Sequence, residues 1–169
     1  MQPRRRLVLV EGLTAGLAGY LAIVLFFGVA SLLAGRSFFA AAIDLGSGLA
    51  GTGARGGTAG AVFAVNGLHL LAFLAIGTAA AWLVLQAERH PSFAIVVLYA
   101  GLAGFFLSLA GFTALEASGA RVPGWGLVAA ANILAGVAMG GLLVRAHPRA
   151  WTALRSGADP ETEHPSPER

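Results

Sequence analysis

The chain has no cysteine and no lysine, and only 11% of its 169 residues are charged. The missing cysteines exclude thiol catalysis, disulfide relays, cysteine-ligated zinc and iron–sulfur clusters. The shortage of charge excludes an ordinary water-exposed surface, because soluble domains carry about 25% charged residues. With 57% hydrophobic residues, most of the surface must face something less polar than water, and lipid meets that requirement. Arginine as the sole basic side chain, with abundant Ala and Gly, fits a GC-rich bacterial genome. The net charge is +3, yet the arginines form no nucleic-acid footprint. Arg4, Arg5 and Arg6 precede the first apolar run, and Arg145, Arg149 and Arg155 follow the last. Clusters in such places are topology signals.

What the chain does have is four long apolar runs, at about 7–33, 61–85, 92–115 and 122–144. Each exceeds the roughly 20 residues that a helix needs to cross a hydrocarbon core of about 30 Å. Backbone groups in lipid must be satisfied internally, so each run reads as a helix. The first run is about twice the length of a signal-peptide core, which argues for a retained helix. The expected fold is all-α: a polytopic membrane protein, a four-transmembrane-helix bundle in residues 1–150. Placing the N-terminus inside puts Arg4, Arg5, Arg6, Arg89, Arg145, Arg149 and Arg155 in the cytoplasm and Arg36, Arg55 and Arg121 outside. Seven against three favours N-in, C-in, in the bacterial inner membrane. Residues 151–169 are polar and proline-containing and read as a disordered cytoplasmic tail.

The connections are unequal. Short links around Glu88–Pro91 and Ala117–Arg121 make helices two, three and four antiparallel neighbours. The first connection, the outer loop 35–60, is long. Its first half, Ser37–Leu45, is apolar enough for a short interfacial or partly re-entrant helix. Its second half, Gly46–Gly60, is rich in Gly, Ser and Thr and reads as mobile.

Helices in lipid associate through close packing and hydrogen bonds. Gly12 and Gly16, with Gly19, supply a small-residue face on helix one. Gly101, Gly104, Ser108 and Gly111 do so on helix three, and Gly136 and Gly140 on helix four. The spacing does not say whether the partner helix belongs to the same chain.

Polar groups inside the membrane are costly and draw attention first. Asn66 and His69 lie three apart, on one face of helix two. His69 is about eight residues into its run, or roughly 12 Å deep at 1.5 Å per residue. Ser108 and Asn132 lie at similar depth, and Glu116 lies near the outer end of helix three. Together they form a candidate outer-half polar cluster. As a site it would handle protons, a metal or a quinone headgroup, with His69 titrating or ligating. As structure it would be a hydrogen-bonded seam, and Glu116 would pair with Arg121. One histidine and one carboxylate are too few to specify a metal site, so no metal and no cofactor are assigned. Glu11 is shallow and is expected to reach toward Arg4, Arg5 and Arg6. His90 and His147 sit at the cytoplasmic ends of helices two and four. No nucleophile–base pair is legible, and no catalytic residue is assigned.

The runs EGLTAGLAGYLAIVLFFGVASLLAGRSFF (Glu11–Phe39), NGLHLLAFLAIGTAAAWLVLQAERHP (Asn66–Pro91) and ANILAGVAMGGLLVRAHP (Ala131–Pro148) resemble an uncharacterised family of small bacterial four-helix integral membrane proteins. The resemblance implies the topology and carries no activity. The functional expectation is a non-enzymatic accessory subunit or helix-packed oligomer, whose partners are the bilayer and other membrane subunits or itself. The alternatives are a small transporter or channel using the polar cluster, and a metal- or quinone-binding redox protein.

Overall fold

The computed structural model describes residues 2–50, 57–90, 93–117 and 123–148. All five of its elements are helices: α1 (Gln2–Leu33), α2 (Ala40–Ala50), α3 (Gly57–Arg89), α4 (Phe93–Ala117) and α5 (Trp125–Ala146). Four of them, α1, α3, α4 and α5, are long and apolar enough to cross a membrane. Each covers the apolar run that announced it, except that α4 starts one residue later, at Phe93, and α5 three residues later, at Trp125, beyond Pro123. α2 lies in the first connection, where the sequence predicted a short helix. Gly46–Ala50 belong to α2 and Gly57–Gly60 to α3, so both flanks of the stretch expected to be mobile are helical. Residues 51–56 of that stretch, Arg121 and the tail 151–169 lie outside the described residues.

The turn after α1 has a clear local cause. Gly35 has a φ of +70°, a left-handed conformation that costs glycine little. It lets the Arg36 N–H donate to the Ser31 carbonyl at 2.9 Å, a helix-ending pattern that satisfies a free carbonyl. Arg36 then reaches Asp44 of α2 at 2.7 Å, and the Phe38 ring seats on Gly28 of α1. These contacts fold α2 back against α1 and α3.

The short links do leave α3 against α4 and α4 against α5, as expected, but the main packing lies elsewhere. α1, joined to the others through the long outer loop, is the hub: its main partners are α3 and α5. The physical reason is glycine. A Cβ on Gly12 would collide with the Thr78 backbone, and one on Gly16 with the Phe73 carbonyl. A Cβ on Gly77 would stand 2.7 Å from the Gly16 Cα. Only missing side chains let the two backbones approach so closely, the general rule for packing in lipid. Gly19 receives Met139 of α5. Around these contacts Ala15, Ala81, Met139 and Leu143 form a small buried core. α4 is peripheral, touching α3 and α5, and none of its described side chains is buried. It is apolar all round and has no face that must turn inward.

Residue pairing fixes the directions. Rising positions on α1 meet falling positions on α3 (Gly12 with Thr78, Tyr20 with Asn66). The same holds for α1 against α5 (Gly19 with Met139, Glu11 with His147). α1 is therefore antiparallel to both. The starts of the α1 and α4 spans and the ends of α3 and α5 share one end of the bundle.

Candidate functional site

Three interior helix faces converge at that end. On α5 the buried residues Val128, Ala131, Ala135, Met139 and Leu143 recur every three or four positions. This spacing makes one stripe. His147 continues the stripe one further step. Its backbone N–H caps the Leu143 carbonyl at 2.9 Å, and the residue is only 6% exposed. Glu11 extends the Ala15 face of α1 by one turn, and Glu88 lies seven residues beyond buried Ala81 on α3.

The three side chains meet. His147 Nε2 lies 2.9 Å from Glu11 Oε2, and His147 Nδ1 lies 3.2 Å from Glu88 Oε1. The ring thus bridges a carboxylate from α1 and one from α3. Only the imidazolium donates from both nitrogens. A neutral ring would donate to one carboxylate and turn a lone pair toward the other. The carboxylates stand on opposite sides of the ring and do not point at a common centre. Among the described residues, no three His, Asp or Glu side chains are placed to hold a metal ion. The arrangement is a charge-assisted clasp across three helices. One Glu11 oxygen faces inward, to His147; the expected reach toward Arg4, Arg5 and Arg6 concerns side chains outside the described ones.

The candidate cluster from the sequence separates into smaller groups. Asn132 Nδ2 donates to Ser108 Oγ at 2.8 Å and joins α5 to α4. Asn66 accepts from the Tyr20 hydroxyl at 3.2 Å and donates to the Val62 carbonyl at 2.9 Å. His69 Nδ1 lies 2.9 Å from the Val65 carbonyl. Asn66 and His69 share a cavity wall with Phe112 of α4. Glu116 is exposed and lines a separate hollow with Thr113, Pro123 and Trp125. Of the packing glycines, Gly12 and Gly16 are fully engaged. Gly104, Gly136 and Gly140 have no atom within 4 Å of where a Cβ would be.

The architecture defines the class: an all-α bundle whose four long apolar helices suggest a multi-pass membrane protein. No family model matches the chain, and neither a curated protein nor a solved structure matches it. The likeness to small four-helix bacterial membrane proteins therefore rests on the three quoted runs.

Proposed function

We propose that the protein is an integral protein of a bacterial inner membrane, with both termini cytoplasmic, that acts by association. It is a non-enzymatic accessory subunit or a homo-oligomer packed through α4 and α5. The carrying observation is a contrast within one chain. Gly12 and Gly16 of α1 and Gly77 of α3 are used up in backbone contact and Gly19 and Gly28 of α1 receive side chains, whereas Gly101, Gly104 and Gly111 of α4 and Gly136, Gly140 and Gly141 of α5 are open. α4 has Leu98, Tyr99, Phe106 and Leu107 at least 59% exposed, a surface suited to lipid or to another apolar helix and not to water. The arginine distribution supports the orientation. Native mass spectrometry in mild detergent tests the proposal: an oligomer or a co-purifying subunit is expected, and a strictly monomeric, partner-free protein would count against it.

A small transporter or channel is the second reading, favoured by Asn66 and His69 at one cavity wall. Replacing His69 and Asn132 with Leu then abolishes flux in liposomes, and unchanged flux removes its basis.

A further inference from the structure

Between α1, α3 and α4, beneath the Phe38–Leu45 segment, lies a cavity of about 70 Å³. Phe27, Phe38, Leu45, Val65 and Phe112 supply much of its wall, and among the described residues its only polar side chains are Asn66 and His69. The amide of Asn66 is occupied on both sides, by Tyr20 and by the Val62 carbonyl. His69 is different. Its Nδ1 faces a carbonyl, which only accepts, so Nδ1 carries the hydrogen. In the neutral ring Nε2 is then a bare acceptor. It has no partner among the described residues and is not sealed from the surroundings.

An acceptor in an apolar cavity selects its complement. Among the described residues an anion would meet a lone pair and no cationic side chain, and a metal ion would find one ligand where it needs several. A neutral hydroxyl satisfies the nitrogen and leaves no charge in the cavity. Size narrows the choice further. An apolar cavity of about 150 Å³ accommodates benzene, and this one is about half of that. A slim alkyl chain fits better than a ring.

We propose that this cavity binds the hydroxyl end of a single-chain lipid alcohol, its O–H donating to His69 Nε2 and its chain running out into the bilayer past α2. The assignment rests on membrane insertion but is independent of association. The test uses protein in phosphatidylcholine nanodiscs, a photoreactive hexadecanol with its diazirine near the hydroxyl, and the methyl ether of the same probe. The ether cannot donate, and one lost hydrogen bond corresponds to about a tenfold weakening. The alcohol is therefore expected to label the cavity wall at about one tenth of the ether concentration. His69→Leu abolishes that preference, and Leu45→Trp, which adds bulk at another position of the cavity wall, suppresses labelling by both probes. Should His69→Leu fail to fold, Leu45→Trp decides, and undiminished alcohol labelling there overturns the proposal. Equal labelling by alcohol and ether in the parent overturns it too, as does a preference that survives His69→Leu. Displacement of the alcohol by an alkyl hydroquinone at equal concentration would show a ring-binding site instead. Protein that never enters the nanodisc fails the membrane reading itself. Inserted protein without the preference fails the lipid-alcohol assignment alone.

Discussion

Replacing His147 with Leu removes the group that separates two carboxylates. In the structure the His147 side chain is 8% exposed, that of Glu11 19% and that of Glu88 20%. Leucine roughly preserves the volume, so the loss is electrostatic. Stripping one partner from a buried ion pair costs about 3–5 kcal/mol, because the remaining charge is stranded. Here two carboxylates are stranded, but each keeps about a fifth of its surface open, which permits some hydration. The lower end of that range, about 3 kcal/mol, is the expected destabilisation. Unfolding by sodium dodecyl sulfate in mixed micelles, followed by helical circular dichroism, measures it. The decisive control is the triple variant His147→Leu, Glu11→Gln, Glu88→Gln. Removing both charges should recover most of the loss, since neutral amides do not repel and are cheaper to bury. A loss below about 0.5 kcal/mol for the single variant, the level of an ordinary surface change, would refute the clasp. So would a triple variant no more stable than the single one.

Three further outcomes follow from the same structure. Gly16→Ala places a methyl group against the Phe73 carbonyl and the Leu74 backbone. It should destabilise by about 1–3 kcal/mol in the same unfolding assay. Gly104→Ala meets open space and gains helix propensity of up to about 1 kcal/mol. It should leave the monomer at least as stable while lowering the oligomer fraction in native mass spectra. Arg36→Ala removes the bridge to Asp44. That side chain is half exposed, so the loss should stay within about 1 kcal/mol, read as a small shift in the unfolding midpoint.

The four long helices were legible because a bilayer imposes a length and leaves the backbone no alternative to a helix. The Ser37–Leu45 segment was legible from its apolar run after the turn at Gly35, although the helix begins at Ala40 and continues through Gly46 to Ala50. Spacing also brought out Gly12 and Gly16, whose i, i+4 pattern places both on one face. What sequence could not supply was the choice of partner. Short links drew attention to helices two, three and four, yet packing follows backbone proximity, and Gly12, Gly16 and Gly77 bring α1 and α3 together across a long loop. The clasp was missed for a related reason. Glu11, Glu88 and His147 each sit near a helix end, where a charged residue ordinarily faces the interface. The missed signal was continuity: His147 prolongs the 3–4 spacing of Val128, Ala131, Ala135, Met139 and Leu143, and Glu11 precedes Ala15 by four. A polar residue that continues a buried stripe faces inward with it. The polar cluster illustrates the opposite limit. Similar depth suggested that Asn66, His69, Ser108 and Asn132 could meet, but depth leaves rotation about each helix axis undetermined. The hydrogen bonds join Asn132 to Ser108 and Asn66 to Tyr20.

The absence of native cysteine makes association directly measurable. Single cysteines at Gly104, on the open face of α4, and at Leu25, an exposed position of α1, can be oxidised in native membranes without background thiols. Association through α4 predicts rapid disulfide-linked dimers, or a covalent adduct with one discrete partner, at position 104 and little at position 25. Equal, slow cross-linking at both positions, with no discrete adduct, would contradict it.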